Sequence, residues 1–274
     1  MNSWADTDAL HWRWRPAIHA KVLLRVFPWI GIYVILFGTT LTAGQNIPTH
    51  RLLPIEASAQ PPAIVFGFVG GFIRHDDPVH SEVQLAARLR KEYPTGVDVE
   101  TFESYAGDRA HKRILKILDA EDDGKLTAEE KQDARIILYG HSWGASESIK
   151  LARALEKDGI PVLLTLQVDS ISRLGNNDLV IPANVAQAAN YYQPHGLVHG
   201  HHDIRAADPA RTRIIGNFRF DYEKSSLKCS DYPWYDRFFV KPHTQIECDP
   251  VVWNQVESLI RSNLPPPTQR AAAE

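Results

Sequence analysis

The sequence predicts an α/β fold, a mostly parallel sheet flanked by helices, and three observations predict it. Apolar runs of strand length recur at residues 63–72, 135–139 and 161–168, with a further strand expected at 97–102, and the run at 63–72 is apolar on both faces, as a parallel strand covered on each side requires. Segments with helical spacing of apolar residues lie between consecutive runs, and a connection of that kind joins parallel strands. Around Ser142 the order is strand, tight turn, helix, strand, which is the βαβ unit of a parallel sheet.

The chain has 274 residues, 44% hydrophobic and 23% charged, the profile of a globular domain behind an N-terminal extension. A net charge of -3 supplies no basic field, which excludes nucleic acid as the expected partner. Residues 1–25 form a basic region with Arg13, Arg15, Lys21 and Arg25 among tryptophans, and residues 26–50 contain no Asp, Glu, Lys or Arg. The apolar stretch at 26–41 approaches bilayer length with its cations on the N-terminal side, the flank expected to stay inside. Residues 26–44 are therefore expected to be a transmembrane signal anchor. A signal peptide cut near residues 42–44 and a buried core helix are the alternatives. The anchor or signal places the domain outside the cytoplasm, membrane-anchored, or secreted or periplasmic after cleavage. Residues 45–62, rich in Pro, Ala, Ser and Gln, predict a linker. The folded domain is expected over 63–263 and a disordered tail over 264–274.

Within the domain, the run at 63–72 ends in Gly70 and Gly71, a turn open enough to present backbone N–H groups to an anion. Ser81 predicts the N-cap of a helix through Tyr93, with Val83, Leu85, Ala86 and Leu89 on one face and Pro94 and Gly96 as stops. A strand at 97–102 and a helix near 108–118 follow.

Residues 119–130 resemble the twelve-residue calcium loop of an EF-hand. The resemblance implies a structural Ca²⁺ held by Asp119, Glu121, Asp123, the Lys125 carbonyl, Thr127 and Glu130, with Gly124 at the sharp turn. Glu121 departs from the pattern, which prefers Asp or Asn there. The alternative is an acidic surface turn in which Thr127 caps a short helix.

Residues 135–145 then run from an apolar strand through Gly140-His141-Ser142-Trp143-Gly144 into a helix expected to run from Ala145 to Lys157. In such a turn the two glycines remove side-chain clashes while the serine is held in strained backbone at the apex. The segment resembles the nucleophile elbow of the α/β-hydrolase family, in the Gly-His-Ser-x-Gly form of its lipases, esterases and thioesterases. The resemblance implies Ser142 as nucleophile and an oxyanion hole formed by the N–H of Trp143 and a residue of the Gly70–Gly71 turn, which is similar to the family's early glycine loop without its leading His. It also implies a triad in the chain order Ser, Asp, His.

Asp169 stands at the carboxyl end of the strand at 161–168 and is the expected acid; Asp221, after a strand-like stretch at 212–220, is the second choice, followed by Asp203 and Asp208. Residues 170–211 read as irregular, a lid or specificity loop whose His195, His199, His201 and His202 lack the spacing of a metal site. His243 is the expected catalytic base, after an apolar run ending at Val240 and before a closing helix at 249–262. Cys229 and Cys248 flank it and are expected to form a disulfide in an exported domain. The expected activity is hydrolysis of a carboxylic ester or thioester of a small molecule or lipid, with no catalytic cofactor. The alternatives are an amidase or peptidase, and a calcium-dependent, membrane-tethered binding protein without turnover.

Overall fold

The computed structural model describes residues 63–267, so the basic region, the apolar segment, the linker and residues 268–274 lie outside the described residues. Among the described residues no helix is long and apolar enough to cross a membrane. The chain runs β1 (Ala63–Phe68), α1 (Ser81–Glu92), β2 (Val97–Phe102), α2 (Gly107–Leu118), α3 (Ala128–Gln132), β3 (Arg135–His141), α4 (Trp143–Lys157), β4 (Val162–Val168), β5 (Val180–Ile181), β6 (Val185–Tyr192), β7 (Arg205–Ala206), β8 (Arg213–Arg219), α5 (Trp234–Phe239), α6 (Lys241–Cys248) and α7 (Pro250–Ser262). Six strands make one sheet in the order β2-β1-β3-β4-β6-β8, with every pairing parallel, and β5 pairs with β7 apart from it.

Side-chain alternation along the strands divides the interior into two layers. Val65, Ile137, Tyr139, Leu164 and Leu166 face one side, where Leu85 and Leu89 of α1 and Val252, Val256 and Ile260 of α7 cover them. Ile64, Phe66, Phe68, Ile136 and Leu138 face the other, under Ala110 and Ile114 of α2 and Ile149, Ala152 and Leu155 of α4. Tyr139 lies so close across β1 that a side chain at Gly67 would meet its ring at 2.4 Å, and its hydroxyl donates to the carbonyl of Glu82 at 2.9 Å.

The strand order reverses at β1, because β2 lies on one side of it and β3 on the other. At such a switch point the two following connections leave in opposite directions and open a crevice beyond the carboxyl ends of the strands. The Gly70–Gly71 turn follows β1 and Ser142 follows β3, so the two meet at that crevice.

Four features differ from the sequence reading. Residues 170–211 are not irregular throughout, since β6 is an interior strand of the main sheet, paired with β4 and β8. Its sequence, VAQAANYY, is poor in the branched residues that signal a strand, and its place between two partners stabilises it instead. His80 rather than Ser81 is the N-cap of α1. His243 lies on a helix, α6, which the sequence reading did not anticipate between the apolar run ending at Val240 and the closing helix. Leu264, assigned to the tail, is buried in the layer beneath α7.

Candidate active site

Ser142 joins β3 directly to α4 with φ 55° and ψ -125°, a left-handed conformation that costs a non-glycine residue on the order of 1–3 kcal/mol. The neighbours hold it there. Its N–H donates to the Val168 carbonyl at 3.0 Å, and its own carbonyl accepts from Ser146 and Ile171, both at 3.3 Å. The turn tolerates no side chain at either glycine: a Cβ on Gly140 would lie 2.6 Å from the Gly144 carbonyl carbon, and one on Gly144 would lie 2.2 Å from the Phe68 carbonyl oxygen. α4 starts at Trp143, two residues earlier than its apolar pattern suggests, so the first free N–H groups of the helix follow the serine directly.

The Gly70 backbone packs on Ser142, and a Cβ there would stand 3.2 Å from both the Ser142 Cβ and the His141 Nδ1. Gly71 has φ 50°, and its carbonyl accepts from the Ser104 hydroxyl at 2.6 Å, which fixes the peptide planes of the turn. Phe72 stands edge-on to Trp143 with ring centroids 5.4 Å apart, and the Arg173 guanidinium lies 5.7 Å from the same indole. Phe72 is 84% exposed, so an apolar rim borders the crevice.

The structure brings His243 and Asp169 together across 74 positions of sequence: the His243 Nδ1–H donates to Asp169 Oδ2 at 2.6 Å. Asp169 is fully buried, and three further donors hold its carboxylate. The Gln193 N–H reaches Oδ1 at 3.2 Å, the Gln193 amide reaches Oδ2 at 2.9 Å, and the Gly200 N–H reaches Oδ1 at 2.8 Å. Burial raises the Asp169 pKa, but the bond and charge of His243 with the Gln193 and Gly200 bonds outweigh it, and the carboxyl lies below its ordinary range. Gly200 is indispensable at that approach, since a Cβ would meet the Asp169 backbone at 2.4 Å.

Asp221 is exposed and pairs with His195 at 3.1 Å and Arg219 at 3.3 Å, away from His243. The remaining loop histidines are dispersed: His201 contacts the Ser172 hydroxyl at 2.7 Å, and His199 and His202 form a ring pair at 6.0 Å. Cys229 and Cys248 are bonded, with Cα atoms 5.9 Å apart, and the bridge fastens the end of α6, five residues beyond His243.

Behind the site lies a polar cluster that the sequence reading missed. The His141 ring packs against His243 at a tilt of 34° with centroids 4.4 Å apart, and burial pushes its pKa down to about 4. His80 contacts Glu247 at 2.5 Å, and the other oxygen of Glu247 lies 3.3 Å from His141 Nδ1. Burial lowers the His80 imidazole, yet the Glu247 bond and charge lift it to about 9. Glu82 lies beside them, and burial and the Glu247 charge hold its carboxyl well above the usual range. A signal for Glu82 exists in the sequence, because it falls at helical spacing with Ala86 and Leu89 on the buried face of α1.

In the acidic loop, Asp119, Glu121 and Glu130 present ligand oxygens within 4.8 Å of one another, and Gly124 turns with φ 79°. Asp123 accepts from the Lys125 N–H at 2.8 Å, and Thr127 and Glu130 form a capping box at the start of α3.

No family model matches the chain, and no curated protein matches it. Among solved structures it is similar to a thermostable esterase from Pseudomonas putida, at 12% identity and a TM-score of 0.39 over 74% of each chain. It is also similar to the RedJ thioesterase of the prodiginine pathway in Streptomyces coelicolor, at 11% identity and a TM-score of 0.35 over 79% of this chain and 98% of that one. A third similar structure is the dienelactone hydrolase-like promiscuous phosphotriesterase P91 from metagenomic libraries, at 15% identity and a TM-score of 0.37 over 76% of this chain and 89% of that one.

Proposed function

We propose that the protein is a serine hydrolase of the α/β-hydrolase fold that cleaves a carboxylic ester or thioester through an acyl-enzyme, with its catalytic domain outside the cytoplasm. The observation that carries the reading is the strained Ser142 at a strand-to-helix turn, together with the buried 2.6 Å pair of His243 and Asp169 at the same sheet edge. Ser142 Oγ attacks the acyl carbon and His243 takes its proton through Nε2. The tetrahedral oxyanion is received by the Trp143 N–H and the Gly70–Gly71 turn. His243 then protonates the departing alcohol or thiol, and a water repeats the sequence to release the acid. Asp169 keeps the imidazole proton on Nδ1, which leaves Nε2 free to act as the base.

The pairing of Cys229 with Cys248 fits an exported domain, where disulfides persist. The basic flank and the apolar run at 26–44 support delivery by a signal anchor. The loop 119–130 fits a structural Ca²⁺: its carboxylates converge, and Asp119, Glu121, Asp123, the Lys125 carbonyl, Thr127 and Glu130 would hold the ion as an all-oxygen set. That ion would order the entry to β3 and take no part in acyl transfer.

A fluorophosphonate probe tests the reading, because only an activated serine is phosphonylated. Wild-type protein should label at Ser142 and hydrolyse p-nitrophenyl esters. Ser142→Ala should lose the label and turnover by a factor on the order of a million with an unchanged melting curve. Turnover by Ser142→Ala at the wild-type rate would remove the assignment.

A further inference from the structure

The buried cluster behind Ser142 gathers two carboxylates and two imidazoles. Glu82 and Glu247 are 0% and 4% exposed, and His80 and His141 are 4% and 2% exposed. Among the described residues no lysine or arginine pairs with either carboxylate; Glu247 meets the two imidazoles and the Tyr232 hydroxyl, and no side chain donates to either oxygen of Glu82. Both ring nitrogens of His141 likewise lack a hydrogen bond. Interior carboxylate oxygens without a charged donor are costly and call for a physical explanation, of which a bound ion is one.

The positions suit an ion. His80, Glu82 and Glu247 each offer a ligand atom within 4.8 Å of the other two. A transition metal sits about 2.0–2.2 Å from nitrogen and oxygen ligands, so a cation among these atoms would satisfy the Glu82 oxygen that has no side-chain donor, while the 2.5 Å contact between His80 and Glu247 would open around it. His141 lies against the other oxygen of Glu247, outside that set, which comprises one imidazole and two carboxylates. One divalent ion neutralises the two carboxylates with the His80 imidazole uncharged. The nitrogen content favours zinc or a neighbouring first-row ion over Ca²⁺ or Mg²⁺, which select all-oxygen sites.

We propose that His80, Glu82 and Glu247 form a buried site for a divalent transition-metal ion of the zinc class. Its role is positional. The ligands come from the start of α1 and from α6, one turn beyond His243. An ion among them bolts the helix that carries His243 to α1, and it touches neither substrate nor reacting atoms. The proposal stands on ligand geometry and does not depend on the hydrolase reading.

The test uses full-length protein stripped with a chelator and titrated with Zn²⁺ against a chromophoric competitor, with metal content by mass spectrometry. The wild type should take up one equivalent at submicromolar Kd with a rise in Tm. Glu82→Gln should weaken that uptake by at least about 100-fold, since it removes a direct ligand where loss of a mere supporting contact costs about 10–100-fold. Glu130→Gln and His195→Gln, which alter the acidic loop and the exposed His195–Asp221 pair, should bind as the wild type does. If Glu82→Gln does not fold, X-ray absorption of the zinc-loaded wild type decides, because the site requires one imidazole in a shell of nitrogen and oxygen only. No zinc uptake by the wild type, undiminished uptake by Glu82→Gln, or a shell without imidazole would overturn the proposal.

Discussion

Replacing Asp169 by Asn tests the arrangement of the base more sharply than deleting the base itself. The Oδ1 position accepts two backbone donors, Gln193 N–H and Gly200 N–H, whereas Oδ2 accepts from His243 and from the Gln193 amide. An asparagine therefore keeps its oxygen on the two backbone donors and turns its NH₂ toward His243. The Gln193 amide retains the Val198 carbonyl as a second acceptor at 3.1 Å, so the principal loss is one charge-assisted bond, about 1.5–3 kcal/mol. For a domain of this size each kcal/mol shifts Tm by about 2–4 °C, which gives a fall of about 3–12 °C. The chemical effect is larger, because an NH₂ facing Nδ1 selects the tautomer with the proton on Nε2, which cannot accept the serine proton, and kcat should fall by a factor on the order of 10⁴. The pH dependence has a definite sign. The carboxyl is shifted downward in the folded state, so its stabilisation is fully present above the unfolded pKa and is lost as pH falls through the folded one. The Tm gap between wild type and variant should accordingly stay constant near neutrality and close in acid. Steady-state ester hydrolysis with differential scanning fluorimetry from pH 3 to 8 measures both quantities, with Asp221→Asn as the control expected to stay within about twofold of wild type, as an exposed pair contributes little. An Asp169→Asn protein within tenfold of wild-type kcat would refute the orienting role.

Calcium should raise Tm through the loop 119–130, because an ion bound only by the folded state stabilises by mass action, and Glu130→Gln should abolish most of the shift; identical melting with Ca²⁺ and with chelator would favour the plain capped turn. Reduction of the Cys229–Cys248 bridge, which closes a separation of 19 residues, should cost roughly 3 kcal/mol on the chain-entropy account and lower turnover before global unfolding, read by activity and circular dichroism across a dithiothreitol series. Gly144→Ala should destabilise the domain by at least about 1–3 kcal/mol in urea, because the added methyl meets the Phe68 carbonyl; a neutral result would mean that the elbow is looser than its geometry indicates.

The parts of the fold legible in the sequence are those where local pattern and tertiary setting agree. The strand at 97–102 and the closing helix needed only their own periodicity, and the site serine was marked by glycines whose spacing has one steric explanation. β6 was illegible because its alanines, glutamine and asparagine earn their place from neighbours on both sides rather than from propensity. Gln193 and Gly200 lie in a region read as irregular, and their importance arises from where β6 ends relative to Asp169, a tertiary relation with no local trace. His243 was found by chain order, yet its helix was not, because α6 is short and its Pro242 reads as a break until it is recognised as a residue of the first turn.

β3 separates two kinds of control. The acidic loop and α3 feed its beginning and Ser142 terminates it, and seven residues at about 3.3 Å per residue set the two roughly 20 Å apart. Hydrogen-bonded to β1 on one side and β4 on the other, the strand behaves as a stiff strut, so whatever happens at the loop reaches the crevice as rigidity and not as contact. Ligands or insertions at residues 119–130 should then lengthen or shorten the half-life of activity on heating while leaving KM and acyl-chain preference where they were. On the proposed function, thermal endurance and substrate choice would occupy opposite ends of one strand and be open to separate tuning.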